Sequence, residues 1–253
     1  MLLAAALTVV CLSTEPIKNG TARVIVQSGQ LSVMRGSLQA LFEGNDVKRQ
    51  ETIVTGPDGY GKFEVADGSV FEVYPDSKVV FHDNATVTYK DLLNVWIGHI
   101  RVWIQHLNGP NYNSVTTPTA VISVRGTKFD VVVEDDDGTT AVSVDEGVVQ
   151  VKNLTAPGDE PLLKEGQAVR VYRGQRLMAK MVDHSGQLRA VVNAIPDAIR
   201  IAAQRGGGGL PGTGGVGGVA GAQGDKGKNN PGSGTGSGTG TAPPAGPTTG
   251  GGH

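Results

Sequence analysis

Five histidines are the first residues to weigh for chemistry: His82, His99, His106, His184 and His253. None belongs to an HExxH frame or makes a close pair of histidines with a carboxylate, so the usual zinc-hydrolase pattern is missing. His99 and His106 lie seven apart on a segment that reads as extended. An unbroken strand would point them to opposite faces, which argues against a shared metal. There is no GxSxG nucleophile elbow and no P-loop. Glu134-Asp135-Asp136-Asp137 gathers carboxylates of the kind that hold hard cations, but it lacks the spaced pattern of a calcium loop. A solvated hairpin tip is the better reading. Arg125 stands in an otherwise apolar strand between Val124 and Gly126. Its guanidinium either ties neighbouring strands through a carboxylate and backbone carbonyls or recognises an anionic ligand; the structural role carries more weight. No catalytic set, metal site or cofactor is expected.

The elements that would position these groups are β-strands. Val121–Val133 is rich in Val, Ile, Thr and Phe, which suit a pleated, half-buried surface. The run closes on Asp137-Gly138, a tight-turn signal, and returns as Thr140–Val144. Asp145-Glu146-Gly147 turns the chain again into Val148–Val151. Upstream, Arg23–Val26, Gln30–Met34, Glu51–Thr55, Lys62–Ala66, Ser69–Tyr74 and Lys78–Phe81 are short strands. A loop covers Glu43–Asp46. Turn signals recur about every 8–12 residues, as in a sandwich, barrel or roll. Around Gly98, a bend or bulge, Ile100, Val102 and Ile104 share one face while His99, Arg101, Trp103 and Gln105 share the other. Leu162–Val171, with Glu165-Gly166-Gln167 at a turn, reads as a last pair of strands. The expected class is all-β, a single roll or sandwich-like domain over residues 21–183.

Period changes at residues 184–205. Leu188, Val191, Val192, Ile195, Ile199 and Ala202 recur at helical spacing. Pro196 is expected to kink this segment or to start a second short helix. A helix packed on the β-domain is the preferred reading, with a partner-binding amphipathic segment as the alternative. Residues 206–253 are Gly-, Pro- and Thr-rich with almost nothing to bury, and are expected to be disordered.

Several short motifs occur in a fixed order. Asp67-Gly68-Ser69, Tyr74-Pro75-Asp76-Ser77 and Gly98-His99-Ile100-Arg101-Val102 come first. Thr117-Pro118-Thr119-Ala120, Val124-Arg125-Gly126-Thr127-Lys128-Phe129 and Glu146-Gly147-Val148-Val149-Gln150-Val151 follow. Together they resemble the FecR domain family over roughly Gly29–Val171. The resemblance marks Thr117, Pro118, Arg125, Gly126, Thr127 and Gly147 as motif residues that serve the fold, with Arg125 also the candidate for binding. Well-known relatives join a periplasmic domain of this type to a membrane helix and a cytoplasmic anti-sigma region; the present sequence shows neither of the latter.

Residues 1–15 hold the apolar run Met1–Leu12, too short for a membrane-spanning helix of about 20 residues and suited to the apolar core of a secretory signal. No Lys or Arg precedes it. Cys11, the single cysteine, is a candidate for lipidation, although Val10 stands where a lipoprotein box has a small residue. One cysteine excludes an intramolecular disulfide and a cysteine zinc site. A net charge of −2 gives no basis for nucleic-acid binding. The sequence thus points to an exported, non-enzymatic binding or scaffold module in the periplasm or cell envelope. It would recognise a protein partner or a cell-wall component and meet the membrane only through Cys11. The alternative is the periplasmic sensor part of a FecR-like, sigma-factor-regulating system.

Overall fold

A computed structural model describes residues 15–85, 90–105, 113–124 and 126–204. Among these residues sixteen strands form two layers joined through one long strand, β9 (Lys90–Trp103). In the first layer the order is β4 (Asp46–Lys48), β1 (Thr21–Ser28), β6 (Tyr60–Val65), β7 (Val70–Val73), the second half of β9, β12 (Lys128–Val133), β13 (Thr140–Glu146) and β16 (Ala168–Val171). In the second it is β3 (Ser37–Ala40), β2 (Leu31–Arg35), β5 (Thr52–Thr55), β8 (Lys78–Ala85), the first half of β9, β10 (Asn113–Thr116), β11 (Ala120–Val124), β14 (Val148–Asn153) and β15 (Leu162–Lys164). All pairs are antiparallel except β9 with β10. This is the all-β roll the turn spacing predicts.

Period-2 alternation decides which side chains enter the core. In β6, Gly61, Phe63 and Val65 are buried while Tyr60, Lys62 and Glu64 face out. In β9, Ile100 and Val102 enter the core while Arg101 and Trp103 point away from it. The inward side chains of both layers make one apolar cluster. Phe71 stacks on Phe63, ring centres 4.8 Å apart, and on Phe81 of the other layer at 5.9 Å.

Gly98 is the bend at which β9 passes from one layer to the other. Its φ is +99°, and a Cβ there would lie 2.2 Å from Ser77 Oγ and 2.5 Å from Ser77 Cα. Only glycine meets both demands. Ser77 holds the bend from the other side: its Oγ accepts from the His99 N–H at 2.9 Å, and its N–H donates to Thr55 Oγ1 at 2.9 Å.

Four local expectations need correction. Leu162–Lys164 and Ala168–Val171 are not a pair: β15 joins β14 in one layer and β16 joins β13 in the other. The Gly166 turn therefore moves the chain between layers, and Gly147 does the same between β13 and β14, which pairs with β11. Ser37–Ala40 is an edge strand, and the expected loop ends inside β4. Turn residues report a reversal, but only tertiary packing decides which layer receives the next strand. Finally, Pro196 starts no second helix. One helix, α1 (Gln187–Gln204), runs through it and packs against β12, β13 and β16. A short 3-10 turn, Ala179–Met181, precedes it. The leader with Cys11, Arg125, His106 and the Gly-rich tail with His253 lie outside the described residues.

Candidate ligand-binding cleft

The outer face of the first layer carries a ladder of alternating charge, because residues of one parity on adjacent strands stand in register. Lys62 on β6 lies opposite Glu72 on β7, Glu72 opposite Arg101 on β9, and Arg101 opposite Asp130 on β12. Such cross-strand pairs are the units that stabilise a sheet face. Lys62 Nζ is 3.3 Å from Glu72 Oε1. Arg101 grips Asp130 with two nitrogens, Nε at 3.1 Å from Oδ1 and Nη2 at 3.1 Å from Oδ2. Asp130 is wholly buried, so this fork pairs the charge that its burial requires.

A second row reinforces the first. His99 Nε2 is 3.0 Å from Asp130 Oδ1, and Tyr74 covers the imidazole, ring centres 4.6 Å apart. Tyr74 donates its hydroxyl to Glu72 Oε2 at 2.6 Å. Burial, and after it the charge of Glu72, raises the Tyr74 phenol well above the ordinary tyrosine range; the same causes raise Tyr60. Both phenols are therefore held neutral. For Arg101, burial works against the charged form, but the carboxylates of Asp130 and Asp145 outweigh it and raise the guanidinium above its usual value.

Helix α1 closes one side. Arg189 Nη2 reaches Asp145 Oδ1 at 2.9 Å, and Arg101 Nη2 lies 3.5 Å from Asp145 Oδ2. Asn193 bridges them, accepting from Arg101 at 3.5 Å and donating to Asp145 at 3.4 Å. Asp183 fixes the start of the helix, accepting the Leu188 N–H at 2.7 Å. Between α1 and the ladder opens a cleft of about 470 Å³, within the roughly 300–1,000 Å³ typical of small-molecule sites. Its floor is polar: Lys62, Glu72, Arg101 and Lys128. Tyr60, Tyr74 and Trp103 supply aromatic surface, and Val26, Val70, Pro196 and Ile199 the apolar wall. Trp103 stands at the rim, 53% exposed.

The histidines do meet carboxylates in space. His99 finds Asp130, and His82 Nδ1 lies 2.6 Å from Asp91 Oδ2. Partners 31 and 9 residues apart leave no short motif to read. Among the described residues no group of three or more His, Cys, Asp or Glu could hold a metal ion. The acidic hairpin tip is tied internally: Asp135 Oδ1 accepts the Thr139 N–H at 2.8 Å, and Glu134 pairs with Arg170 at 2.7 Å.

Tyr74, Arg101 and Lys128 of the ordered motifs line the cleft, whereas Thr117, Pro118, Gly126, Thr127 and Gly147 do not. Thr117 and Thr119 both meet the Thr140 hydroxyl at 2.8 Å, and Thr119 donates to Gly138 O at 2.6 Å. Pro118 sits where any side chain at residue 138 would be, 2.6 Å from its ideal Cβ. Thr117-Pro118-Thr119 thereby joins the β10–β11 turn to the tip of the β12–β13 hairpin. Gly126 and Gly147 both have positive φ, and a Cβ on Gly147 would lie 2.7 Å from Thr127 Cγ2. The cleft residues were not singled out as a site in the sequence; the signal that could have found them is the outward parity of His99, Arg101 and Trp103 on β9.

Residues 51–150 match the family model described as FecR protein. No curated protein matches the chain. Two crystal structures of a "putative anti-sigma factor" from Parabacteroides distasonis ATCC 8503 align at 20% identity and TM-score 0.43, covering 50% of this chain and 57% and 56% of theirs. The chain thus spans little more than half the length of those proteins.

Proposed function

We propose, from the premise that residues 51–150 belong to the FecR family, that this protein is a non-enzymatic recognition module of a FecR-like signalling system. It works by binding another protein. The observation that carries this reading is the family match itself, which runs from β5 into β14 and includes all of β9. FecR-type proteins are regulators, and a regulator of this kind must contact a partner. Export to the cell envelope, with the Met1–Leu12 leader as its signal, belongs to the same proposal.

The contact surface we assign is β3, an edge strand of the second layer. All four of its residues are exposed. Leu38 lies opposite Met34, and both, with Phe42 beside them, present apolar side chains to solvent. An open strand edge flanked by exposed apolar groups is the template for strand addition by a partner chain. A photo-crosslinking amino acid at Leu38, in a tagged protein expressed in intact cells, tests the reading. A discrete protein adduct, lost when the probe is moved to Lys152 on β14, is expected. Fractionation of the same cells, beside a Cys11→Ser variant, locates the adduct. No adduct at Leu38, or a protein confined to the cytoplasm, would sink the proposal.

A further inference from the structure

The cleft beneath α1 is chemically distinct from the β3 edge and lies on the other layer. Its charges are already matched. Lys62 is paired with Glu72, and Arg101 with Asp130 and Asp145. Of the charged groups lining it, Lys128 alone has no ion pair among the described residues. An anionic ligand would gain from Lys128 but would meet the Glu72 carboxylate. A cation would meet Lys128. A purely apolar ligand would strip water from the Lys62–Glu72 pair and return no hydrogen bonds, which carries a desolvation cost.

The arrangement suits a ligand that is close to neutral, has donors and acceptors side by side, and has an apolar face. Glu72 offers an acceptor next to the ammonium donor of Lys62. Tyr74 fixes that carboxylate from beneath at 2.6 Å, so little side-chain freedom remains to be lost on binding. Lys128 lies opposite Trp103 across the β9–β12 pair, placing a free donor beside an exposed indole. Indole and phenol rings offer flat apolar area with little conformational freedom to surrender.

We propose that this cleft binds a saccharide, with a sugar ring lying its C–H face on Trp103. Lys62, Glu72 and Lys128 hydrogen-bond the hydroxyls. The proposal stands apart from the partner-protein reading, because a crosslink at Leu38 does not depend on an occupied cleft.

The protein has two tryptophans, Trp96 and Trp103. Trp96 is on the half of β9 that belongs to the other layer, so Trp96→Phe leaves Trp103 as the only indole reporter. The experiment titrates this variant with a neutral N-acetylglucosamine trisaccharide, a cellulose-type trisaccharide and glucuronic acid, using acetate and benzoate as non-sugar carboxylates. A saturable change in Trp103 emission with at least one saccharide is expected. Calorimetry on the otherwise natural chain should give the same affinity, weakened about tenfold or more by Trp103→Ala or Glu72→Gln, with each variant shown to be folded at the temperature of the titration. A preference for glucuronic acid over both neutral trisaccharides would contradict the matched charges and overturn the proposal. The proposal is also overturned if no saccharide gives a saturable change, if acetate and benzoate bind as well as the sugars, or if Trp103→Ala folds and binds unchanged.

Discussion

Asp130 shows how one buried carboxylate organises the outer face of the first layer. It sits wholly inside, takes hydrogen bonds from two nitrogens of Arg101 and meets His99. Removing one member of a buried, hydrogen-bonded pair leaves the other uncompensated, which costs about 3–5 kcal/mol. We therefore expect Asp130→Ala to lose stability on that scale in chemical denaturation. A loss below about 1 kcal/mol would mean that solvent or Asp145 takes over Arg101, and that the fork is not what holds the ladder. None of this was open to inspection in the sequence. Arg101 and Asp130 are 29 residues apart, and only the strand register sets them opposite each other. What could be read was parity: Ile100 and Val102 inward, Arg101 and Trp103 outward. Arg125 drew attention because an arginine among valines is locally conspicuous, whereas Arg101, equally flanked by Ile100 and Val102, carries the observed network.

Helix α1 is a short element whose attachment depends on its first turn. Asp183 accepts N–H groups from Ser185 and Leu188, both at 2.7 Å. The Ser185 hydroxyl and then the Leu188 N–H hold its carboxyl below the usual value of 3.8. A carboxyl whose pKa is depressed on folding stabilises the folded state above its unfolded pKa and loses that contribution as pH falls through the folded one. Attachment of α1 should therefore weaken as pH drops below about 3.8. Asp183→Asn should remove most of that acid dependence while lowering helix protection at neutral pH. Amide exchange of Val191–Ile195, followed against pH, measures it; an unchanged acid profile in the variant would assign the transition to other carboxylates. The helix itself was legible from the Leu188, Val192 and Ile195 spacing. Its continuity through Pro196 was not, because the local rule sees only the missing N–H, while the sheet beneath and the buried proline ring favour a single helix.

Across the whole molecule, the two layers share β9 and one apolar cluster. Gly98→Ala asks for a Cβ at a positive φ and within 2.5 Å of Ser77 Cα, so trimming the serine side chain cannot make room. The expected loss exceeds the about 1–3 kcal/mol that an adverse backbone conformation alone costs. Because the bend serves both layers, amide exchange should rise in β7 and β12 together with β8 and β10. A change confined to one layer would show that the layers unfold independently. Strand content and the all-β class followed from turn spacing and alternation, but the assignment of strands to layers did not. The chain crosses between layers at Gly29, Gly147 and Gly166 with turn residues that would equally well serve a simple hairpin. The same shared strand sets a schedule for the ribosome. Although β1 and β6 can already pair, the first layer stays open at β9 until Val133 has been synthesised and the second until Thr116, and their last strands end only at Val171 and Lys164. Most of the polypeptide must therefore emerge before either surface closes, and its early strands wait with bare edges. Such delayed, long-range closure places this fold among the slowly assembling ones.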